Sequence, residues 1–442
     1  MTDISRRSFL QGAAATAAAA AMSGGTALGA DQPAKPRYSD PDKPLNIVCV
    51  GIGGMGGADV NGVSSQNIVG LCDVDAKRGE GSFKKFPKAK QYKDYRKMFA
   101  DMADEFDAVT ISTPDHMHFP IAKLAMEMGK HVYVQKPCAH TVWEARELKR
   151  LALKYGVQTQ MGNQGHASTA IRNAKAWVDE GALGDVTEVH VYSDRPIWGQ
   201  NRAWPKEGKC PEWLDWNLWL GTGPYRPYPE GGMHFSWRGF WDYGCGAIGD
   251  MGCHCLDAAV WALDLYEPDW IEAESDAKGP DFTPNSSVVT YHFPARGKKP
   301  PCILRWFDGK RRPPRPPQLE EGRNIIGGNG SVFYGTAGCM MVGGWSSPAL
   351  IFPEVRRKEV GKPKNPIEPV KGNHYQEWIR ACKGGKPAGS NFIDYACGLT
   401  EMALLGNLAI RARKKVIWDA KNLVCVGDDF ATSLVTHPYR AF

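Results

Sequence analysis

Leu45-Asn46-Ile47-Val48-Cys49-Val50-Gly51-Ile52-Gly53-Gly54-Met55-Gly56 joins an apolar run to glycines spaced G-x-G-x-x-G. The run reads as a buried parallel strand, and the glycines as a tight turn into a helix. Gly51 permits the turn, Gly53 lets backbone approach a phosphate, and Gly56 lets the helix pack close to the strand. Gly54 and Met55 lie at the helix start, where unpaired N–H groups and a positive partial charge favour an anion. A second apolar run, residues 67–72, ends at Asp73, which stands 20 residues beyond Gly53. A carboxylate at that strand tip accepts hydrogen bonds from a ribose diol and repels a 2′-phosphate. The two motifs together predict NAD in preference to NADP, with neighbouring Arg78 weakening that preference.

Working outward, the N-terminus reads as a targeting segment. Ser5-Arg6-Arg7-Ser8-Phe9-Leu10 precedes an alanine-rich stretch, the pattern of a twin-arginine export signal over residues 1–30. Its apolar part is too short and too weakly hydrophobic for a membrane span, so no stable membrane anchor is expected. The implied partner is the twin-arginine translocase, and the implied location is the periplasm. Residues 31–44 form a Pro-rich polar linker, and the 442-residue chain is long enough for two domains. A net charge of +6 spread along the chain gives no footprint for nucleic acid. Twelve cysteines in an exported protein invite disulfides, yet several, such as Cys49 and Cys72, sit inside strands as small buried thiols. The export route adds an inference: the periplasm holds no soluble nicotinamide pool, so a dinucleotide enzyme there must carry its cofactor tightly bound and regenerate it in place.

Strands and helices alternate up to Gly162, giving right-handed crossovers and a doubly wound α/β sheet over residues 45–162. Thr141 and Glu144 form a capping box ahead of an amphipathic helix. Residues 163–442 change character. Strand-like stretches at 185–192, 287–293, 302–306 and 331–334 lack helical crossovers and predict a large, mostly antiparallel open sheet, a surface suited to homo-oligomers. A final helix, about 395–413, is expected to pack back on the body.

Lys136 follows a strand and precedes Pro137, which places an ammonium beside the crevice of a doubly wound fold. There it can hydrogen-bond a substrate hydroxyl and stabilise the oxygen as hydride leaves carbon. Asp250 and His254 share a helical face at i, i+4, an arrangement in which a carboxylate orients an imidazole that takes a hydroxyl proton. Together Gly51 to Gly56, Asp73, Ser112-Thr113-Pro114-Asp115-His116-Met117-His118, Gln135-Lys136-Pro137 and Asp250-x-x-x-His254 resemble the Gfo/Idh/MocA (glucose–fructose oxidoreductase / inositol dehydrogenase) family. The resemblance spans nearly the whole mature chain. It implies sugar or cyclitol chemistry on a nicotinamide, with Lys136, Asp250 and His254 catalytic. It also implies cofactor contacts from Ser112, Thr113, Pro114, His118, Gln135, Lys136 and Asn163. Gln135 replaces the glutamate usual in that family. The branch that cleaves glycosides through transient oxidation is also similar in its signal and glycine motif, but it replaces the lysine.

Cys253-His254-Cys255 is too tight for all three to meet one ion on a helix, so no metal is expected. Flat aromatics stack on sugar C–H faces, which draws attention to the Trp-rich stretch 198–241. Within it Trp198 and His234, with His166 and Arg195 nearby, are candidate substrate contacts. Two other functions stay open: a redox-neutral glycosidase or lyase acting through a keto-sugar, and a redox-silent sugar-binding protein.

Overall fold

The protein is described by a computed structural model covering residues 34–442; the signal segment and residues 31–33 lie outside the described residues. Strands β1 (Asn46–Val50), β2 (Asn67–Cys72), β3 (Lys90–Tyr92), β4 (Ala108–Ile111), β5 (His131–Val134) and β6 (Thr159–Met161) make one sheet in the order β3-β2-β1-β4-β5-β6. Every pairing in it is parallel. Ile47, Val48 and Cys49 have no exposed surface, so β1 is covered on both faces and its sequence runs apolar without alternation. The strand order reverses between β1 and β4, and the crevice outside their carboxyl ends is where such folds bind ligands.

The crossover helices carry the predicted signals. Val142–Tyr155 starts in a capping box of Thr141 and Glu144 and ends at Gly156 in the left-handed region. The linker is pinned to this layer, because the backbone N–H groups of Ala34, Arg37 and Ser39 donate to the carbonyls of Leu153, Gly156 and Cys382. One face of the sheet is completed from far along the chain. The helix His374–Cys382 inserts Tyr375, Trp378 and Ile379 against Leu45, Ile47 and Cys49.

The second sheet has nine strands: β7 (Val186–Tyr192), β8 (Trp270–Ser275), β9 (Ser287–Phe293), β10 (Cys302–Phe307), β11 (Gly330–Gly335), β12 (Gly338–Gly343), β13 (Ala349–Phe352), β14 (Val416–Asp419) and β15 (Val424–Cys425). They run β13-β12-β11-β7-β10-β9-β8-β14-β15, antiparallel except where β10 meets β7. The fold expected from sequence is therefore present, and the sheet is larger than the four legible strands. β9 alternates buried and half-buried residues, whereas β12, Gly-Cys-Met-Met-Val-Gly, is buried throughout and shows no alternation to read. The helix Cys397–Ala412 does pack back: 14 of its 16 residues are buried, which makes it a wall shared by the two halves.

Candidate active site

The glycine turn has the geometry its residues imply. Gly51 has φ +74°, and a Cβ there would stand 2.7 Å from the Ser112 carbonyl oxygen; one on Gly56 would stand 1.8 Å from the Gly51 oxygen. Gly56 thus lets the helix Met55–Gly62 lie against β1. Gly54, at φ +57°, caps that helix without a side-chain hydrogen bond. Gly53 is hemmed in by protein, since a Cβ would meet the Arg78 carbonyl oxygen at 2.8 Å. Asp73 is tied to the turn: its Oδ2 accepts from the Ile52 N–H and its Oδ1 from the Asp75 N–H, each at 2.9 Å. Burial raises the Asp73 carboxyl pKa, while these bonds and Arg78 favour the anion. A turn packed too tightly for side chains, an uncapped helix start and a carboxylate at the tip of β2 fit a dinucleotide.

A cavity of about 470 Å³ runs from this turn to the second domain. Gly51, Gly53, Met55, Asp73, Ser112, Thr113, Pro114, His118, Gln135 and Lys136 line its first-domain side. The Thr113 hydroxyl oxygen is buried with no hydrogen-bond partner among the described residues. The His118 ring nitrogens lie 2.8 Å from the Thr113 oxygen and 2.7 Å from the Pro137 oxygen, which ties the ends of β4 and β5 together. Beneath them Asp59 is fully buried, accepting from Ser112 Oγ (2.6 Å), Tyr375 Oη (2.7 Å) and Gln135 Nε2 (3.0 Å). Burial pushes the Asp59 pKa up, and no cation faces it among the described residues. This explains Gln135: an amide can donate to Asp59, whereas a second carboxylate there would repel it.

At the other end stand Lys136, Asp250 and His254. Lys136 Nζ donates to Asp250 Oδ1 at 2.7 Å; Arg238 Nε lies 3.5 Å from the same oxygen, and Arg195 Nε lies 4.0 Å from Oδ2. Burial alone would raise the Asp250 carboxyl pKa, but Lys136 and Arg238 hold it well below the usual carboxylate range. The Gly246–Cys255 helix carries both Asp250 and His254, yet no hydrogen bond joins them among the described residues. The expectation that Asp250 orients His254 is therefore corrected: the carboxylate is engaged by cations, and its effect on the imidazole is electrostatic. Burial and the nearby Lys136 push His254 down to about 3, with Asp250 opposing. The imidazole is neutral near pH 7, and its buried Nδ1 has no hydrogen-bond partner among the described residues.

Three expected contacts lie elsewhere. Asn163 and His166 face away from the cavity into a buried network, where Asp257 accepts from His166 Nδ1 at 2.8 Å, from Asn163 Nδ2 at 3.3 Å and from the Tyr395 hydroxyl. The short helix at Gln164–Ala167 turns both side chains inward. Trp198 is 6% exposed and packs with its ring 5.8 Å from the Arg238 guanidinium carbon. Arg195 and His234 do line the cavity.

The structure adds Arg238, which donates to both Asp115 oxygens at 3.0 Å while facing Asp250, and Trp345, whose ring centroid lies 6.0 Å from that of His254. The Trp-rich composition pointed to the neighbourhood of Arg238; nothing local marked Trp345. Among the described residues no group of three or more His, Cys, Asp or Glu side chains is placed to share a metal ion.

Part of the second domain roofs the dinucleotide end. Ala76 N–H donates to the Trp213 oxygen (3.0 Å) and Asp215 N–H to the Val74 oxygen (2.9 Å), just past Asp73. His234 Nε2 meets Asp75 Oδ2 at 2.7 Å, and Leu218, Trp219 and Trp237 cover the cavity between.

Residues 45–163 match the NAD-binding Rossmann-fold model of an oxidoreductase family, and residues 167–298 match that family's C-terminal alpha/beta domain. The chain belongs to the Gfo/Idh/MocA family. Residues 3–23 match a twin-arginine translocation signal sequence. A Gfo/Idh/MocA relative, inositol 2-dehydrogenase of Salmonella paratyphi B, is 28% identical over 152 residues, 33% of this chain and 45% of that protein. The chain spans half or less of the length of the curated relatives it matches. Among solved structures, the WlbA dehydrogenase from Bordetella pertussis, in complex with NADH and UDP-GlcNAcA, superposes with TM-score 0.59 at 16% identity, covering 85% of this chain and 99% of that one. An inositol dehydrogenase homolog from Azotobacter vinelandii, complexed with NADH and myo-inositol, gives 0.56 at 15% identity, covering 87% and 99%. At those identities the likeness shows the shared Gfo/Idh/MocA fold.

Proposed function

We propose that the protein is an exported NAD-dependent oxidoreductase that moves hydride between a hydroxyl-bearing ring carbon of a sugar or cyclitol and a retained nicotinamide. The observation that carries this reading is the meeting of Lys136, Asp250 and His254 on one wall of the cavity that begins at the glycine turn. Gly51, Gly53, Gly54 and the start of the Met55–Gly62 helix would hold the pyrophosphate, and Asp73 the ribose. Bound NAD supplies the hydride acceptor. The chain supplies the rest. Lys136, held on Asp250, donates to the substrate hydroxyl oxygen and stabilises negative charge there. His254, neutral because it is buried beside Lys136, accepts the hydroxyl proton. Arg238, clamped between Asp115 and Asp250, holds the carboxylate in place.

The roof over Asp73 to Ala76 supports retention: hydrogen bonds made by Trp213, Asp215 and His234 tie the second domain to the segment just past Asp73. Export on a twin-arginine signal would carry the loaded, folded protein outward. We further propose that the half-buried face of the nine-stranded sheet joins copies of the chain, which sedimentation of the purified protein tests.

The functional test begins with protein recovered from the periplasm. Denaturation and mass spectrometry should release NAD, and a panel of pyranosides and cyclitols should reduce that bound nicotinamide, read by its absorbance. Protein that carries no nucleotide and binds none would end the reading. Aglycone release from an aryl glycoside without net NADH would replace it with the redox-neutral glycosidase, and sugar binding without any turnover with a redox-silent binder.

A further inference from the structure

Among the exposed large apolar side chains of the described residues, two line the active-site cavity: Met55 at the glycine turn and Trp345 at the opposite end. Trp345 is 46% exposed, although its backbone is held from several sides. It sits in the tight connection between β12 and β13, where Gly343 N–H donates to the Pro348 oxygen (2.8 Å) and Ser346 N–H to the Gly343 oxygen (2.9 Å). Ser168 Oγ donates to the Ser346 oxygen at 3.1 Å, and Ser346 Oγ reaches Asp257 Oδ2 at 3.4 Å. Gly165 lies so close that a Cβ there would stand 2.6 Å from the Trp345 oxygen. The indole has no hydrogen-bond partner among the described residues, and its centroid is 6.0 Å from that of His254.

A large apolar ring left half in water is stabilised when a ligand or partner covers it. A rigidly mounted one beside a proton-accepting imidazole is placed to cover a reactant. We propose that Trp345 is the platform on which the substrate ring lies, its C–H face against the indole and a ring hydroxyl turned toward Lys136 and His254. This rests on the oxidoreductase reading and narrows it. A flat wall gains contact from a closed six-membered ring, whose axial C–H bonds make one apolar face, and gains little from an open-chain polyol. The free indole N–H adds a donor for one more hydroxyl.

The test uses nucleotide-loaded protein with methyl β-D-glucopyranoside, myo-inositol and D-sorbitol as probes. Binding is followed by tryptophan fluorescence, and turnover by nicotinamide absorbance. The two ring compounds should perturb the fluorescence of the wild type, and Trp345→Ala should weaken that binding about threefold to tenfold, the scale of one aromatic contact. Trp345→Phe should restore most of it. In steady state the alanine variant should raise KM more than it lowers kcat, with nucleotide content unchanged. Sorbitol bound as tightly as the ring compounds, no binding of either ring compound, or Trp345→Ala altering only the sedimentation behaviour would overturn the proposal. Ring compounds that bind through Trp345 and are never oxidised would leave the platform standing and remove the oxidoreductase reading. Oxidation with unchanged KM in Trp345→Ala would do the reverse.

Discussion

Lys136 and Asp250, 114 positions apart in the chain, meet at 2.7 Å with their side chains 14% and 16% exposed. The pair joins the carboxyl end of the first sheet to a helix of the second domain, so the groups proposed to act on substrate come from both domains. It is also asymmetric. Asp250 has Arg238 and Arg195 within 4.0 Å, whereas Lys136 has no other carboxylate at salt-bridge distance among the described residues.

That asymmetry predicts different costs for the two halves of the pair. Asp250→Asn strands Lys136 in a largely dry site and should lower stability by up to about 3 kcal/mol, while Lys136→Met leaves Asp250 its two guanidinium partners and should cost less. Turnover should fall in both, by about 10²–10³ in kcat for Lys136→Met, the scale of losing one donor at a developing oxyanion. Thermal melts and single-turnover kinetics separate the effects. Equal melting temperatures would argue against the pairing described, and full activity in Lys136→Met would remove Lys136 from the chemistry.

Asp59 explains why position 135 is glutamine, and it makes that choice testable. Gln135→Glu places a second carboxyl within about the 3.0 Å now spanned by the amide bond, in a buried site without a cation. Destabilisation of about 3 kcal/mol or more is expected at neutral pH, shrinking as the medium is acidified because one of the two acids then holds a proton. The double change Asp59→Asn with Gln135→Glu should recover much of the loss, since the amide and carboxylate merely exchange places. Guanidinium melts at two pH values decide it; an unchanged Gln135→Glu melt would show that Asp59 does not set this position.

The contrast between these two sites shows what the chain discloses locally. The turn at Gly51 and the carboxylate at Asp73 depend on neighbours within one βαβ unit, so spacing alone is enough to place them. Lys136 at a strand end and Asp250 with His254 at i, i+4 are also marked by position, but spacing misassigns one link: the two side chains can pair on a helix, whereas here the carboxylate is drawn to cations from elsewhere. Asn163 and His166 follow the last parallel strand and so lie near the crevice, but their side chains are claimed by Asp257, 94 and 91 positions on. Arg238 and Trp345 gain meaning only from partners that folding brings to them, Asp115 for the first and His254 for the second. Strands β12 to β15 are each short or buried on both faces, where periodicity carries no signal, while β8 buries only Ile271 fully and so shows no buried face to read.

Buried histidines give the protein an acid limb. His254 and His116 are pushed down to about 3, His131 and His374 to about 4, in every case first by burial. In the unfolded chain these rings bind a proton near the ordinary value of 6.5. Between that value and about 4 the unfolded state therefore holds more protons, and stability must rise with pH. It is complete above 6.5 and is lost progressively as the medium is acidified. Each such ring contributes up to about 1.4 kcal/mol per pH unit across the window. Replacing His131 by Asn, which keeps an acceptor for the Gln158 N–H, should flatten the slope by one proton's worth. Urea titrations from pH 4 to pH 7 measure it, and a slope unchanged by the substitution would mean that His131 is protonated in the folded protein.

The roof over the dinucleotide end should govern how fast nucleotide leaves. His234 holds Asp75 at 2.7 Å, two positions after the carboxylate that would grip the ribose, and it is 31% exposed, so it can be removed without opening the core. His234→Ala deletes one charge-assisted bond of the roof and leaves the backbone pairing of Trp213 and Asp215 intact. A loss of about 1.5–3 kcal/mol from the closed form corresponds to nucleotide dissociation faster by about tenfold to a hundredfold. Lys136, Asp250 and His254 are untouched, so on the proposed mechanism the rate of the chemical step in loaded protein should stay near the wild-type value. Dialysis followed by nucleotide assay, or displacement by a labelled dinucleotide, reads the dissociation rate directly. Identical release from wild type and His234→Ala would mean that the second domain covers the cleft without controlling exit, and retention would then have to be sought in Asp73 and the glycine turn alone.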